Sequence, residues 1–239
     1  MSSPPNLLVR ALHLTGALTR IARKRYLPLT EWLIDYHDAE GARRSYKEAR
    51  PSAADGAPLP WMTFPAIRYF DQLDLSQACV FEYGCGRGSL YWADHAQIVL
   101  SVEDDLAWAN EIDGMRRPNQ EIIRAGSRTE YIDAVRRCPC PPSLVIVDGS
   151  YRLSCAQAAI EALAPSGMIV LDNSDWHPQT CSVLAQAGFM QFDFIGPGPI
   201  NKYAWATSVF VRLADSAPLP RRSGSPRVKG GLDQTSEET

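Results

Sequence analysis

The sequence predicts an α/β protein with a mostly parallel, seven-stranded sheet, helices on both faces of the sheet and a C-terminal antiparallel hairpin. Five apolar segments, the first at 78–83, alternate with helical patterns, which is typical of parallel strands buried on both faces. The last two apolar segments are separated only by a loop rich in Gly and Pro, at 196–201. Such a loop holds no crossover helix, so we expect these two strands to pair antiparallel.

Each element follows from the local pattern of apolar residues and turn residues. The predicted strands cover 78–83, 97–103, 121–125, 143–148, 168–172, 190–195 and 204–212. The predicted helices cover 65–70, a stretch that begins at residue 89, 106–115, 128–136, 153–163 and 180–187. We assign residues 61–213 to one domain, since a chain of 239 residues is long enough for one full core.

The two ends of the chain have a different character. Residues 1–60 are predicted to form a helical cap, with a first helix from Leu7 to Ile21, a second at 31–36 and a linker or exposed loop at 51–60. The run 20–25 is basic, so the first helix either caps the core or makes weak contact with a membrane surface or a partner. Residues 214–239 are rich in Pro, Gly, Ser and charge, which predicts a disordered tail.

Composition excludes several classes of protein. The net charge of −3 gives no basic excess that would indicate nucleic acid as an obligatory partner. No stretch is long enough for a transmembrane segment. Six scattered cysteines show no disulfide framework, and the pair in Cys138-Pro-Cys140 lacks the second pair of a zinc site. These features indicate reduced thiols and a cytoplasmic location.

The most informative segment is Glu82-Tyr83-Gly84-Cys85-Gly86-Arg87-Gly88, where the first strand turns into a helix. Gly84, Gly86 and Gly88 allow a sharp bend and a close approach of backbone to a ligand. A diphosphate over this turn would be repelled by the carboxylate of Glu82. S-adenosylmethionine has an ammonium, a carboxylate and a sulfonium but no phosphate, so an acid near the turn suits its positive groups.

Two further positions fit a nucleoside ligand. Glu103 ends the second strand about twenty residues after the turn, where an acid accepts hydrogen bonds from both ribose hydroxyls. Alternatively, Glu103 is simply an acid near a helix N-terminus, where the helix dipole favours a negative charge. Gly126 and Ser127 end the third strand, where they either border the adenine or form an ordinary turn.

The fourth and fifth strands end in polar residues that parallel pairing brings to one edge. Asp148, Asp172 and Asn173 are oxygen donors that suit Mg²⁺, which would lower the pKa of an acceptor hydroxyl. Alternatively, Asp148 orients the substrate or takes its proton, while Asp172 and Asn173 cap the next helix. Tyr151 and Arg152 are also candidates for the catalytic site, with Arg152 as a grip for an anionic substrate group or as a surface ion pair.

Two loop residues are weaker candidates. His177 is a possible general base, although a single loop histidine is more often structural. Trp61 is a possible wall of the acceptor pocket, although such an aromatic residue more often packs in the core.

With these residues in place, the segment 60–212 resembles the class I S-adenosylmethionine-dependent methyltransferases. The run from Glu82 to Gly88 matches the acid-x-Gly-x-Gly-x-Gly signature of the family in full. The resemblance implies a Rossmann-like fold, with this loop around the methionine part of the cofactor. It also implies that Glu103 holds the ribose and that Gly126 and Ser127 flank the adenine.

A narrower similarity is to a poorly characterised bacterial subgroup of that family, which has no settled substrate. The segments that carry it are Pro60-Trp61-Met62-Thr63-Phe64-Pro65, Phe81-Glu82-Tyr83-Gly84, Asp148-Gly149, Leu171-Asp172-Asn173-Ser174, Gly198-Pro199-Ile200-Asn201 and Trp205-Ala206-Thr207-Ser208.

Asp148, Asp172 and Asn173 also resemble the metal site of catechol-type O-methyltransferases. Those enzymes have a lysine just after the first acid, where this chain has Tyr151 and Arg152.

We therefore predict S-adenosylmethionine-dependent methyl transfer to a small-molecule acceptor, on oxygen. The alternatives are a nicotinamide-dependent oxidoreductase, a non-catalytic S-adenosylmethionine-binding protein and a macromolecular acceptor. The first is disfavoured by Glu82 and by Ser89 in place of a further glycine. The sequence has no Asn/Asp-Pro-Pro-Tyr/Phe motif after the fourth strand, which disfavours exocyclic amines of bases as acceptors.

Overall fold

The computed structural model describes residues 30–212, apart from residues 32 and 36. The strands are β1 (Cys79–Tyr83), β2 (Ile98–Glu103), β3 (Gln120–Arg124), β4 (Leu144–Val147), β5 (Met168–Asp172), β6 (Phe189–Gly196) and β7 (Trp205–Arg212). The helices are α1 (Ala42–Glu48), α2 (Phe64–Phe70), α3 (Arg87–His95), α4 (Leu106–Asp113), α5 (Arg128–Asp133), α6 (Arg152–Ala162) and α7 (Pro178–Gln186). Short 3₁₀ turns follow α5 at Ala134–Arg137 and β5 at Ser174–Trp176.

All seven strands belong to one sheet in the order β3-β2-β1-β4-β5-β7-β6. The first five strands pair in parallel, and β7 pairs antiparallel with both β5 and β6. The predicted mostly parallel Rossmann-like sheet with its C-terminal hairpin is confirmed. The strand order changes direction between β1 and β4, and in open α/β sheets ligands bind at the carboxyl ends of strands beside such a point.

The sheet separates two hydrophobic cores, because successive side chains of a strand point to opposite faces. Phe81 and Tyr83 of β1 belong to the core that is completed by α5, α6 and α7. Val80 belongs to the opposite core, with the side chains of α2 and α3. Glu82 lies on this second face by the same alternation, so it is an acid at the end of an otherwise apolar strand.

The segment before the domain is folded against it. Residues 30–39 are helical where they are described, and α1 follows at Ala42–Glu48. Residues 51, 52, 59 and 60 are buried, and a bridge joins Ser52 to Pro58. The expected linker or exposed loop at 51–60 is thus buried at both ends, while residues 54, 55 and 57 are exposed. At its start the hydroxyl of Ser45 donates to the carbonyl of Ser52 at 2.8 Å and accepts from its N–H at 2.8 Å.

Two sequence predictions lie outside the described residues. They are the first helix with its basic run, and the tail at 214–239. Within the described residues, no helix combines the length and the apolar character needed to cross a membrane.

Candidate functional site

The glycine turn requires the absence of side chains at specific points. Gly84 has a φ of +87°, and a Cβ on it would lie 3.0 Å from the Cα of Gly149 in the loop after β4. A Cβ on Gly88 would lie 2.8 Å from Oε1 of Glu82. Gly86 has an extended backbone, and its nearest neighbour would be the ring of Trp108 at 4.0 Å. The first and third glycines therefore serve internal packing, while the second leaves open space.

The carboxylate of Glu82 is buried beneath this turn and accepts three hydrogen bonds. The donors are the hydroxyl of Ser89, the hydroxyl of Ser101 at 3.1 Å and the indole N–H of Trp92 at 3.2 Å. Ser89 also accepts from the N–H of Gly86 at 3.0 Å, so the acid holds the turn through this side chain. Burial raises the pKa of Glu82 to about 7, although the three donors oppose that shift.

Glu103 ends β2 on the other side of the turn. Its carboxylate accepts from the N–H of Cys85 at 3.0 Å and from the N–H groups of Asp104 and Asp105, both at 3.0 Å. Burial raises its pKa, and the backbone donors oppose the shift. A carboxylate has about four acceptor positions, so Glu103 keeps acceptor capacity toward a ligand after these three bonds.

A cavity of about 340 Å³ lies against the turn, within the size range of small-molecule sites. The lining combines glycine backbone with acids from the ends of three neighbouring strands. The lining residues are Ala49, Arg50, Pro51, Pro60, Trp61, Glu82, Gly84, Cys85, Gly86, Arg87, Gly88, Glu103, Trp108, Asp148 and Gly149. The structure thus brings Glu82, Gly84, Gly86, Gly88, Glu103 and Asp148 of the predicted site together.

The cavity has a second wall from the segment 49–61, and of this wall the sequence predicted only Trp61. The residues of the segment that line the cavity are Ala49, Arg50, Pro51, Pro60 and Trp61. The guanidinium of Arg87 donates from Nε to the carbonyl of Pro51 at 2.5 Å and from Nη2 to that of Gly56 at 3.2 Å. These bonds fasten the segment to the start of α3. Trp61 in this wall and Trp108 in α4 are 47% and 41% exposed, so both present aromatic surface to the cavity region. The aromatic residue at 61 was a sequence candidate, whereas Trp108 was missed.

Gly126 and Ser127 do not line this cavity. The hydroxyl of Ser127 caps α5 by accepting from the N–H of Glu130 at 3.2 Å, and Glu130 in turn accepts from the N–H of Gly126 at 2.7 Å. Their expected contact with adenine stays a prediction.

Arg152 is the centre of the β4–β5 edge. Its guanidinium donates to Oδ1 of Asp148 at 3.1 Å, to Oδ1 of Asn173 at 3.0 Å and to the main-chain carbonyl of Asp172. It also donates to the carbonyls of Gly149 at 3.2 Å and Asp148 at 3.1 Å. Because a guanidinium has five N–H groups, these five contacts use all its donors and leave none for a substrate anion.

The oxygens predicted to bind Mg²⁺ do not fit a metal ion. The cation of Arg152 lies among Asp148, the carbonyl of Asp172 and Asn173, and a second cation there would meet strong repulsion. The carboxylate of Asp172 is buried and accepts from the indole N–H of Trp205 at 3.0 Å and from the hydroxyl of Thr207. Within residues 30–212, no group of three or more His, Cys, Asp or Glu side chains is placed to hold a metal. The proposal of Mg²⁺ receives no support.

Burial raises the pKa of both acids at this edge. For Asp148 the positive charge of Arg152 opposes the effect of burial. For Asp172 the negative charge of Asp148 adds to it. Asp148 lines the cavity and its side chain is 28% exposed, so it is the acid of this pair that a ligand meets.

Tyr151 and His177 lie outside the lining of the cavity. Tyr151 has a φ of +53°, a strained value for a residue with a Cβ, and its ring packs edge-on against Tyr131 with centroids 5.7 Å apart. Arg128 lies 5.0 Å above the same ring. Burial lowers the pKa of His177 to about 4. Neither residue lines the cavity, and the catalytic assignment of Tyr151 stays a prediction.

No protein-family model matches the sequence, and no curated protein matches it. Among solved structures, the chain is similar to precorrin-6y C5,15-methyltransferase from Geobacter metallireducens GS-15, with a TM-score of 0.51 and 12% identity over 70% of this chain and 97% of that one. A methyltransferase-like protein from Silicibacter pomeroyi DSS-3 has a TM-score of 0.44 and 20% identity over 68% and 91%. An rRNA methylase from Streptococcus thermophilus has a TM-score of 0.44 and 12% identity over 62% and 96%.

The Geobacter structure and the strand order together define the class of fold. This chain has the fold of the class I S-adenosylmethionine-dependent methyltransferases, as the resemblance of its glycine turn implied.

Proposed function

We propose that the protein binds S-adenosylmethionine in the cavity at the glycine turn and transfers its methyl group to a small-molecule acceptor, on oxygen. The observation that carries this proposal is the cavity lining. Glu82, Glu103 and Asp148 come from the ends of three neighbouring strands and surround partly exposed glycine residues. This charge suits an ammonium and a sulfonium, and it opposes the diphosphate of a dinucleotide.

The donors and acceptors of the cavity fit the parts of this cofactor. A ligand has room to approach the backbone of Gly86, because a Cβ built on this residue would have no neighbouring atom closer than 4.0 Å. Glu103 keeps acceptor capacity for ribose hydroxyls. The negative charge of Glu82, whose hydrogen-bond donors are all neutral, suits the amino group. When bound, the cofactor supplies a methyl carbon that is already activated by its sulfonium.

The protein itself needs to align the acceptor and accept its proton. Asp148 is the residue that we assign to this task, because it lines the cavity beside Gly149 and its raised pKa favours uptake of a proton. Asp148 would take the proton of the acceptor hydroxyl as the acceptor oxygen receives the methyl group that the bound cofactor would supply, leaving the cofactor as a neutral thioether. Arg152 donates to Oδ1 of Asp148 at 3.1 Å and so holds the carboxylate in place.

The first experiment separates the cofactor classes. Calorimetric titration of the purified protein with S-adenosylhomocysteine and with NAD should show binding of the former only. Binding of NAD alone overturns the proposal and favours the oxidoreductase.

The second experiment tests transfer. A panel of hydroxylated small molecules with labelled S-adenosylmethionine should yield a labelled product with Mg²⁺ and with chelator alike. Asp148→Asn should lower the rate by about 10² to 10⁴, the usual contribution of a positioned base, and should leave the affinity for S-adenosylhomocysteine intact. Binding without transfer to any acceptor would identify a non-catalytic binding protein.

A further inference from the structure

The charges around the cavity are distributed unevenly. The three acids Glu82, Glu103 and Asp148 lie at the ends of strands, whereas the two arginines Arg50 and Arg87 lie on the side of the N-terminal segment. A zwitterionic ligand would therefore be oriented, with its positive group toward the sheet and its negative group toward that segment.

Arg87 is already occupied. Its Nε and Nη2 atoms donate to the carbonyls of Pro51 and Gly56. Burial lowers the pKa of Arg87, and the positive charge of Arg50 lowers it further, which indicates that both cations act on the same region.

Arg50 keeps donors available. Its Nε donates to Oε2 of Glu48 at 3.2 Å, and within the described residues its two terminal nitrogens have no hydrogen-bond partner. Its side chain is 56% exposed, and the residue lines the cavity. The terminal nitrogens of a guanidinium match the two oxygens of a carboxylate.

We infer that Arg50 binds the carboxylate at the amino-acid end of the cofactor. This inference rests on the proposed function. It assigns a binding role to a residue outside the glycine signature. From the sequence, Arg50 was only the residue before a predicted linker or loop. The same contact would connect the N-terminal segment to the bound cofactor and order the wall formed by residues 49–61 around it.

The test compares S-adenosylmethionine with its decarboxylated form, which lacks only that carboxylate, by calorimetric titration. The wild-type protein should bind S-adenosylmethionine about tenfold more tightly, which is the usual effect of one charge-assisted contact at a partly exposed site. In Arg50→Gln, affinity for S-adenosylmethionine should fall about tenfold and affinity for the decarboxylated form should stay the same. Arg50→Lys should recover part of the preference.

Arg44→Gln is the matched control. Arg44 lies on α1, before Arg50 in the chain, and like Arg50 it pairs with Glu48 at 3.2 Å, but it does not line the cavity, so its loss should leave both affinities unchanged. Equal losses for both ligands in Arg50→Gln would overturn the inference, because they would show a structural role. An unchanged preference in this variant would overturn it as well. A wild-type protein that binds neither ligand would contradict the proposed function itself.

Discussion

The two halves of the candidate site hold their acids in different ways. In the β1–β2 half, Glu82 and Glu103 accept only from neutral donors, which are hydroxyls, an indole and backbone N–H groups. In the β4–β5 half, Asp148 is paired with the guanidinium of Arg152, which also binds the ends of both strands. Neutral donors stabilise an anion without cancelling its charge, whereas a paired cation does cancel it.

This difference separates two tasks. The β1–β2 half keeps a negative field beside the glycine turn, and such a field suits a cationic ligand. The β4–β5 half uses an internal cation to fix the geometry of Asp148 and of two neighbouring strands. The guanidinium of Arg152 lies among the oxygens for which the sequence suggested magnesium.

The largest expected effect is at the contact between the two halves. In Gly149→Ala the new Cβ would clash with the hydroxyl of Tyr131 and lie 2.9 Å from the N atom of Gly84. We expect the free energy of unfolding to fall by about 3 kcal/mol or more, as for other overpacked sites, measured by urea denaturation.

Gly86→Ala is the control for this change, since its Cβ would have no neighbour closer than 4.0 Å. It should keep its stability and lose affinity for S-adenosylhomocysteine, because the side chain would enter the cavity. A Gly149→Ala variant as stable as the wild type would show that the two loops do not pack as described.

The next effect concerns the cation of the β4–β5 half. Arg152→Met leaves Asp148 without its partner, so we expect a loss of about 3 kcal/mol in the free energy of unfolding, the lower end of the range for a broken buried pair, because this pair is only partly buried. The stability of Arg152→Lys should lie between those of Arg152→Met and the wild type, because an ammonium keeps the positive charge but cannot make all the hydrogen bonds of the guanidinium.

The same denaturation experiment with millimolar Mg²⁺ or with EDTA should leave the wild-type midpoint unchanged. A midpoint that rises with Mg²⁺ and falls with EDTA would restore the metal site at Asp148, Asp172 and Asn173 and contradict the role of Arg152.

The smallest effect is the pH dependence of the β1–β2 half. The pKa of Glu82 is about 7 in the folded protein, against 4.5 without burial. Between these values the folded state holds a proton that the unfolded state has lost, so Glu82 lowers the stability as the pH rises. In the wild type, Glu82 should lower the free energy of unfolding by about 2 kcal/mol between pH 5 and 7, and Glu82→Gln should abolish this decrease. Denaturation midpoints across that pH range measure it.

Glu111→Gln, which changes an exposed glutamate of α4, is the control and should keep the wild-type slope. An identical slope in Glu82→Gln and the wild type would show that the carboxylate of Glu82 is ionised throughout the range.

The order of elements was predictable because it depends on local patterns. Each predicted strand lies within a residue or two of an observed one, and the hairpin followed from the short loop between β6 and β7. The ends of the core helices differ from the prediction by up to three residues, the most at the end of α5. Helix α3 starts two residues earlier than predicted. It begins at Arg87, not at residue 89, because Ser89 accepts from the N–H of Gly86 and draws the turn into the helix.

The candidate site was predictable in part. Glu82, Glu103 and Asp148 were identifiable because the carboxyl ends of parallel strands meet at one edge, whatever packs around them. Arg50 and Trp108 were not, because their position depends on how the segment before the domain and the helix after β2 pack against the turn.

The sequence by itself determined the sheet, the glycine turn and the edge at which the acids collect. These features follow from apolar periodicity and backbone freedom within a few residues. Only the tertiary structure decided which partner each acid has: Ser101 and Trp92 for Glu82, Trp205 and Thr207 for Asp172, and Arg152 for Asp148. The physical reason is that hydrogen bonds and ion pairs form between groups that packing brings together, and most of these partners are ten or more residues apart in the chain.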